Sequence, residues 1–164
     1  MKKQMNRILA GCMLIVLMAS GCFKDNSDDN CTFDPCAFVV PAAETVMVEE
    51  YLNTNNITAT KHCSGMYYTI INPGTGNTPE VCDGVSVKYV GTLTNGTAFD
   101  QTADPVNFNL STLIGGWQLG IPLIKTGGKI RLYLPPSLGY GTAGYGSVPG
   151  NAVLIFDIDL VAIY

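Results

Sequence analysis

Residues 85–100, VSVKYVGTLTNGTAFD, predict a β-hairpin that the rest of the fold has to accommodate. The Asn95-Gly96 pair is typical of a two-residue type I′ turn, because both residues tolerate the positive φ values that this turn requires. Apolar and polar side chains alternate before the turn, as in a strand with one buried face. After the turn, the second strand carries Phe99 and Asp100. An aromatic beside a carboxylate indicates either a site or, more commonly, a core ring followed by a surface charge.

Further β-rich runs, separated by glycine- and proline-rich turns, follow in the same part of the chain. Three of them predict short strands: residues 66–71, 106–110 and 129–134. A fourth run, residues 153–164, is apolar on both faces, which predicts a central position in the sheet. Residues 111–119 hold the only tryptophan and predict one or two helical turns that begin at Ser111 and end at Pro122.

A separate helix is predicted before the strands. Pro41 suits the start of a helix, and the apolar residues Val48, Tyr51 and Leu52 recur at helical spacing until a group of asparagines ends the pattern. This stripe predicts packing on the domain's own surface rather than a partner site. The whole pattern predicts an α+β fold, a largely antiparallel sheet with one small helix packed on it and an N-terminal helical extension.

Residues 1–21 are typical of a secretory signal peptide, with basic residues followed by an apolar run too short to span a bilayer. The run ends in Ala-Ser-Gly before Cys22, which resembles the lipobox of bacterial lipoproteins, in which the cysteine is lipidated. Cys12 follows a closer match to the lipobox letters, but almost no apolar residues precede it. We therefore expect lipidation at Cys22 and an exported protein, lipid-anchored to a bacterial envelope membrane, with the outer membrane favoured.

Removal of the signal peptide makes the chain strongly acidic. The remaining chain has six Lys and Arg residues and thirteen Asp and Glu residues, which gives a net charge of −7. This balance argues against nucleic acid or anionic lipid as a partner, so membrane association would come from the acyl chains. Residues 22–62 are predicted to be a lipid-anchored tether with one helix, and residues 63–164 the functional domain.

Four cysteines follow Cys22, and an even number in an exported protein predicts two disulfides with three possible pairings. They are Cys31, Cys36, Cys63 and Cys82. We expect Cys63–Cys82, because these residues directly precede successive predicted strands, and Cys31–Cys36 as the second bridge. A zinc site that includes His62 is the less favoured alternative. No metal or cofactor is expected.

Several catalytic chemistries are poorly supported. The only histidine, His62, lies beside Cys63 and outside the region rich in glycine and tyrosine, so a Ser-His-Asp or Cys-His arrangement has little support. No phosphate-binding loop is present. Asp157 and Asp159 share one face of the last strand and are better explained as solvated charges than as an acid/base pair. What remains is an apolar, aromatic pocket with few polar groups.

The region from Gly65 to Tyr164 contains a series of short motifs in a fixed order: Val87-Lys88-Tyr89-Val90-Gly91-Thr92-Leu93, Gly96, Phe99-Asp100, Gly116-Trp117, Gly128-Lys129, Leu134-Pro135, Tyr140-Gly141, Gly144, Val148-Pro149 and Phe156-Asp157. In their order and spacing, these motifs resemble those of the FKBP-type peptidyl-prolyl cis/trans isomerases, specifically exported bacterial lipoprotein members. The resemblance implies a twisted antiparallel sheet wrapped around one short helix. It also implies rotation of X-Pro bonds in exported proteins without metal, cofactor or covalent intermediate.

The resemblance also implies a pocket and its residues. Trp117 would form the floor, with Phe99, Tyr140 and Asp100 as the other residues that act on the substrate. Tyr140 would donate a hydrogen bond to a substrate carbonyl, and Asp100 would lie at the rim. The remaining substrate-binding positions are Tyr89, Val106, Leu113, Ile114, Tyr145, Val148 and Phe156.

Three positions depart from the family pattern. Val106 stands where phenylalanine is usual, Tyr145 where many members have histidine, and the basic partner that Asp100 often has in the family has no counterpart. The expected partners are proline-containing polypeptides and, by resemblance, macrolide inhibitors. The departures concern the substrate preference and the affinity for these inhibitors. The alternative function is a proline-segment binding module or chaperone with little turnover.

Overall fold

The computed structural model of the chain describes residues 31–164. The predicted signal peptide, the lipidation site Cys22 and its rival Cys12 lie outside the described residues and stay predictions. Among residues 31–164, every helix is too short or too polar to cross a membrane.

Within residues 31–164, six strands form one sheet, accompanied by two α-helices and three short 3₁₀ turns. The strands are β1 (Thr60–Lys61), β2 (Tyr67–Asn72), β3 (Gly84–Leu93), β4 (Ala98–Asn109), β5 (Lys129–Leu134) and β6 (Leu154–Ile163). The helices are α1 (Ala42–Thr54) and α2 (Gly115–Gly120), and the 3₁₀ turns are Leu110–Thr112, Ile121–Leu123 and Pro136–Leu138. The order is β1-β2-β5-β6-β3-β4, with every neighbouring pair antiparallel. The predicted α+β architecture is confirmed.

The core lies between the sheet and α2. Strand β6 is flanked by β5 and β3, as its apolar faces predicted, and buries Leu154, Phe156 and Ile158. Helix α2 approaches the sheet closely because it lacks a side chain at Gly116, where an added Cβ would lie 2.3 Å from Leu134 Cδ1. That approach places the indole of Trp117 against the sheet.

The hairpin forms as predicted, but its turn is not the two-residue type I′ turn. Leu93 N–H donates to Thr97 O (2.9 Å) and Gly96 N–H donates to Leu93 O (2.9 Å), so the loop contains three residues. Within the loop only Gly96 has a positive φ, of 84°. A type I turn followed by a left-handed glycine satisfies the same Asn-Gly sequence with one strained position instead of two.

The start of the short helix also differs from the prediction. Ser111 lies inside a 3₁₀ turn, and the side chain of Asn109 caps that turn by accepting the Ser111 N–H. Helix α2 begins later, at Gly115, and Pro122 lies in the 3₁₀ turn that follows it rather than ending the α-helix directly. The amide of Asn109 replaces the predicted serine hydroxyl as the cap, which both residue types can supply.

Helix α1 packs on the domain's own surface, as its apolar stripe predicted. Val48 and Leu52 are buried against Tyr133, Val153 and Ile155 of the sheet region. These contacts form a second, smaller core on the side of the sheet away from α2. The helix therefore belongs to the same compact unit as the sheet, residues 31–164.

The two disulfides are Cys31–Cys82 and Cys36–Cys63, so the predicted Cys63–Cys82 and Cys31–Cys36 bridges are wrong. The prediction treated β2 and β3 as neighbours, but β5 and β6 lie between them and the two strands run antiparallel. Each cysteine of the predicted pair is instead bonded to a cysteine of the segment that precedes α1, Cys63 to Cys36 and Cys82 to Cys31. Because all four cysteines are in disulfides, the zinc alternative has no thiolate ligands.

The single histidine gives a pH-dependence prediction. Ser64 N–H donates to His62 Nδ1 (3.1 Å), and burial lowers the pKa of His62 below its ordinary value of 6.5. The folded protein therefore binds this proton less readily than the unfolded chain, so stability should fall as the pH drops below ~6.5. We expect a lower free energy of unfolding at pH 5.5 than at pH 7.5, measured by denaturant titration. An equal loss in the His62→Gln variant would contradict the assignment.

Candidate active site

A small cavity lies between the sheet and α2. Its volume is about 140 Å³, and five of its eight lining residues are aromatic. Strands β3, β4 and β6, helix α2 and the segments beside them supply the lining: Tyr89, Asp100, Phe108, Leu113, Ile114, Trp117, Tyr140 and Phe156. One charged residue among apolar and aromatic side chains is the composition typical of a ligand pocket.

A larger cleft, of about 710 Å³, lies between α1 and the loop that joins β3 to β4. Its lining consists mainly of helix and loop residues such as Glu50, Asn55 and Asn95, and Tyr51 is its one aromatic residue. It does not bring together the predicted site residues. Convergence of side chains, rather than volume, makes the smaller cavity the candidate site.

Trp117 lies at the centre of the aromatic lining. Its ring is 5.0 Å from Tyr89, 5.4 Å from Phe156 and 6.0 Å from Phe108, at interplanar angles of 80°, 88° and 88°. Edge-to-face pairs of this kind stabilise by ~0.5–1.5 kcal/mol beyond the area they bury. The indole Nε1–H is buried and has no acceptor among the described residues. The floor is therefore rigid, apolar and carries one unpaired donor.

Phe99 forms a second layer behind this lining. Its ring contacts Phe156 at a centroid distance of 5.4 Å and Tyr140 at 6.5 Å, both edge to face. Gly91 makes room for it, because a Cβ there would lie 2.6 Å from Phe99 Cζ and 2.8 Å from Phe156 Cε1. Phe99 thus holds two lining rings in place. Gly91 is a site residue that sequence reasoning missed, although a glycine inside a strand can signal such a close approach.

Two hydroxyls and one carboxylate supply the polar rim. Tyr89 Oη donates to Asp100 Oδ2 at 2.6 Å, whereas the Tyr140 hydroxyl has no partner among the described residues. Burial, with the bond to Asp100 and its charge, raises the pKa of Tyr89 well above its usual value. Burial raises the pKa of Tyr140 as well, with smaller effects from the charges of Asp100 and Tyr145. Both tyrosines are therefore protonated at neutral pH, and Tyr140 is the free donor.

Besides Phe99, three predicted site residues do not line the cavity. Val106 is 38% exposed, and its place is taken by Phe108, two residues further along β4. Strand β4 contains a bulge, because it has two more residues than β3 between the Thr102–Tyr89 and Val106–Val87 pairs. It therefore continues through residues that were predicted to separate two strands. The alternating run at residues 106–110 contained Phe108, but the resemblance drew attention to Val106 instead.

Val148 and Tyr145 belong to the loop beside the cavity. Val148 is buried in the main core, and its backbone bonds reciprocally with Tyr145, at 3.0 Å and 2.9 Å. The Tyr145 ring stacks on Tyr140, with centroids 5.3 Å apart and an interplanar angle of 21°. Tyr145 therefore extends the aromatic surface outward from the rim.

Asp157 and Asp159 lie away from the cavity and form ion pairs across the sheet. Asp157 pairs with Arg131 at 2.7 Å, and Asp159 pairs with Lys129 at 3.0 Å. This arrangement agrees with their prediction as surface charges rather than as an acid/base pair.

Comparison with known proteins identifies the family. Residues 76–161, just over half of the chain, match the sequence profile of the FKBP-type peptidyl-prolyl cis-trans isomerases. The chain belongs to this family. The FKBP-type region thus contains every cavity-lining residue, because all eight lie between positions 89 and 156.

Individual relatives agree with the family assignment. The chain is 44% identical over 122 residues to the FKBP-type isomerase FkpA of Aeromonas hydrophila, covering 70% of this chain and 45% of that protein. The crystal structure of Escherichia coli FkpA superposes with a TM-score of 0.68 at 35% identity, covering 74% of this chain and 60% of that one. The crystal structure of a Pseudomonas syringae peptidyl-prolyl cis-trans isomerase superposes with a TM-score of 0.66 at 31% identity, and the match covers 76% of this chain and 96% of that one. The FKBP-like fold is therefore confirmed, and the chain spans under half the length of the FkpA sequences it matches.

Proposed function

We propose that this FKBP-type chain is a peptidyl-prolyl cis/trans isomerase that accelerates X-Pro rotation in exported proteins. The observation that carries the proposal is the convergence of Trp117, Phe156 and Phe108 on a cavity whose rim presents the free hydroxyl of Tyr140. An apolar cavity of ~150 Å³ accommodates one benzene-sized ring, so a single proline ring matches this one. The chain's own departures from the family leave these residues in place.

Desolvation supplies the main part of the proposed mechanism. Rotation about an X-Pro bond is slow because amide resonance is lost in the twisted state, with a barrier of ~18–20 kcal/mol. The twisted amide is less polar than the planar one, so an apolar environment favours it relative to the ground state. A reduction of the barrier by roughly 5–8 kcal/mol would correspond to an acceleration of about 10⁴–10⁶-fold.

Hydrogen bonding orients the substrate in this proposal. Tyr89 already donates to Asp100, so its hydroxyl is engaged, whereas Tyr140 can donate to the carbonyl of the twisting amide. A neutral hydrogen bond of this kind contributes ~0.5–1.5 kcal/mol. Tyr140 therefore holds the substrate in register, and the aromatic walls supply most of the rate. The same pocket is proposed to take macrolide inhibitors.

Proline-tetrapeptide turnover tests the proposal. Residues 23–164 include the whole described domain without the lipidation site, and their effect on cis/trans exchange can be followed by a protease-coupled assay. Acceleration proportional to enzyme concentration is the expected result. Absence of acceleration by the folded domain would contradict it.

We further propose that Cys22 is lipidated and anchors the exported protein to a bacterial envelope membrane. The proposal is supported by the basic start, the apolar run and the small residues before Cys22. The Cys22→Ser variant should be released from membranes or accumulate as unprocessed precursor, measured by fractionation and mass spectrometry. Cys12→Ser is the matched control, and the opposite pattern, with Cys12→Ser released and Cys22→Ser retained, would show that the site is misplaced.

A further inference from the structure

The rim of the cavity carries a negative charge that no Lys or Arg among residues 31–164 is paired with. One oxygen of Asp100, Oδ2, accepts the Tyr89 hydroxyl, and the residue is otherwise exposed. Ion pairs in the described part of the chain involve Lys61, Lys129 and Arg131, and none of them includes Asp100. A carboxylate held in place at the mouth of an apolar pocket favours a positively charged ligand group.

An exposed aromatic ring lies on the same rim. Tyr145 is 71% exposed, although one face of its ring is stacked on Tyr140. The reciprocal backbone bonds to Val148 and the left-handed Gly144 and Gly146 fix this loop. The ring's outer face is therefore available to solvent in a fixed orientation. A lysine or arginine placed over such a face gains a cation–π contact, and the planar guanidinium can also stack on it.

Tyr140 connects the two features. Its ring stacks on Tyr145, and it lines the same small cavity as Asp100, so both groups lie near this donor. A substrate carbonyl bound at Tyr140 thus brings the residues that flank the proline close to Asp100 and Tyr145. The aliphatic part of a long basic side chain can lie along the apolar lining while its charge remains at the rim.

We propose that Asp100 and Tyr145 form a rim subsite that selects proline segments with a lysine or arginine beside the proline. This inference rests on the proposed isomerase function and specifies its substrates. Exposed ion pairs and cation–π contacts are individually weak, so together they give about a three- to tenfold preference at low salt over the same peptide with glutamate. Salt weakens the preference because the rim is exposed.

The test uses peptides that differ only in one residue beside the proline, which is Leu, Lys, Arg or Glu, placed before or after it. Nuclear magnetic resonance exchange measurements give turnover and affinity without a coupling protease. For the unaltered domain we expect higher kcat/KM and affinity for Lys and Arg than for Glu on at least one side. Asp100→Asn should bring the Lys/Glu ratio close to one, and Tyr145→Ala should reduce the Arg preference.

Glu50→Gln is the matched control, because it removes one exposed negative charge on α1, away from the cavity. If it lowers the Lys/Glu ratio as much as Asp100→Asn does, the preference comes from overall charge and the subsite is refuted. A ratio of one or less in the unaltered domain also refutes it. Charge-selective binding without turnover would refute the isomerase function and leave the subsite standing, so the two failures are distinguishable.

Discussion

Replacing Phe99 with alanine is expected to lower kcat/KM by about 30-fold, equivalent to ~2 kcal/mol of transition-state stabilisation. The Phe99 ring contacts both Phe156 and Tyr140, so its loss admits water behind two lining side chains. Tyr140→Phe keeps the ring and removes one hydrogen bond, for which we expect about a 2- to 10-fold loss. Protease-coupled turnover of one proline tetrapeptide by both variants measures the difference.

The comparison requires that loss of folding be excluded. Phe33→Ala is the matched control, because Phe33 is also a partly buried ring that packs against the main core but lies outside the cavity. It should lose stability in denaturant titration while retaining kcat/KM under folding conditions. If Tyr140→Phe lowers kcat/KM more than Phe99→Ala, the hydrogen bond rather than desolvation supplies most of the acceleration.

Among the expected effects on stability, removal of either disulfide is expected to lower the free energy of unfolding the most. In the chain-entropy model, the Cys36–Cys63 bridge, which spans 27 residues, stabilises by ~3.5 kcal/mol, and the Cys31–Cys82 bridge, which spans 51, by ~4 kcal/mol. Each bridge is removed by a pair of Cys→Ser substitutions. Denaturant titrations of the oxidised domain and the two paired variants measure the loss of free energy of unfolding.

The control for this prediction is the reduced domain. Full reduction should lower the stability of each paired variant further, because one bridge remains in it, and should bring both to similar values. Mass mapping of non-reduced peptides provides the independent test of connectivity. Peptides joined by Cys63–Cys82 or Cys36–Cys82 would contradict the pairing.

Local sequence signals predicted most of the elements and some of their packing, but not the order of the strands in the sheet. The two apolar faces of residues 153–164 predicted a central strand. Pro41 and the apolar stripe that follows it predicted α1 and its packing on the domain's own surface. Strand order is a long-range property that side-chain alternation does not encode. The prediction of Cys63–Cys82 failed for this reason, since it assumed that consecutive strands are spatial neighbours.

The lining of the cavity was also only partly predictable from the sequence. Resemblance identified Trp117, Tyr140 and Phe156, which the fold brings together around one cavity. It missed Phe108, because the bulge that inserts two extra residues into β4 has no clear sequence signal. It also could not reveal that Tyr89 engages Asp100, which leaves Tyr140 as the free donor.

The measurement that tests the account most directly compares turnover and peptide binding on one folded preparation of residues 23–164. Exchange spectroscopy on a proline peptide reports both quantities, and buffer alone gives the uncatalysed rate. We expect binding together with cis/trans exchange that is accelerated in proportion to enzyme concentration, and reduced about 30-fold in kcat/KM by Phe99→Ala. Clear binding with exchange no faster than in buffer would contradict the isomerase function and make the chain a proline-segment binding module.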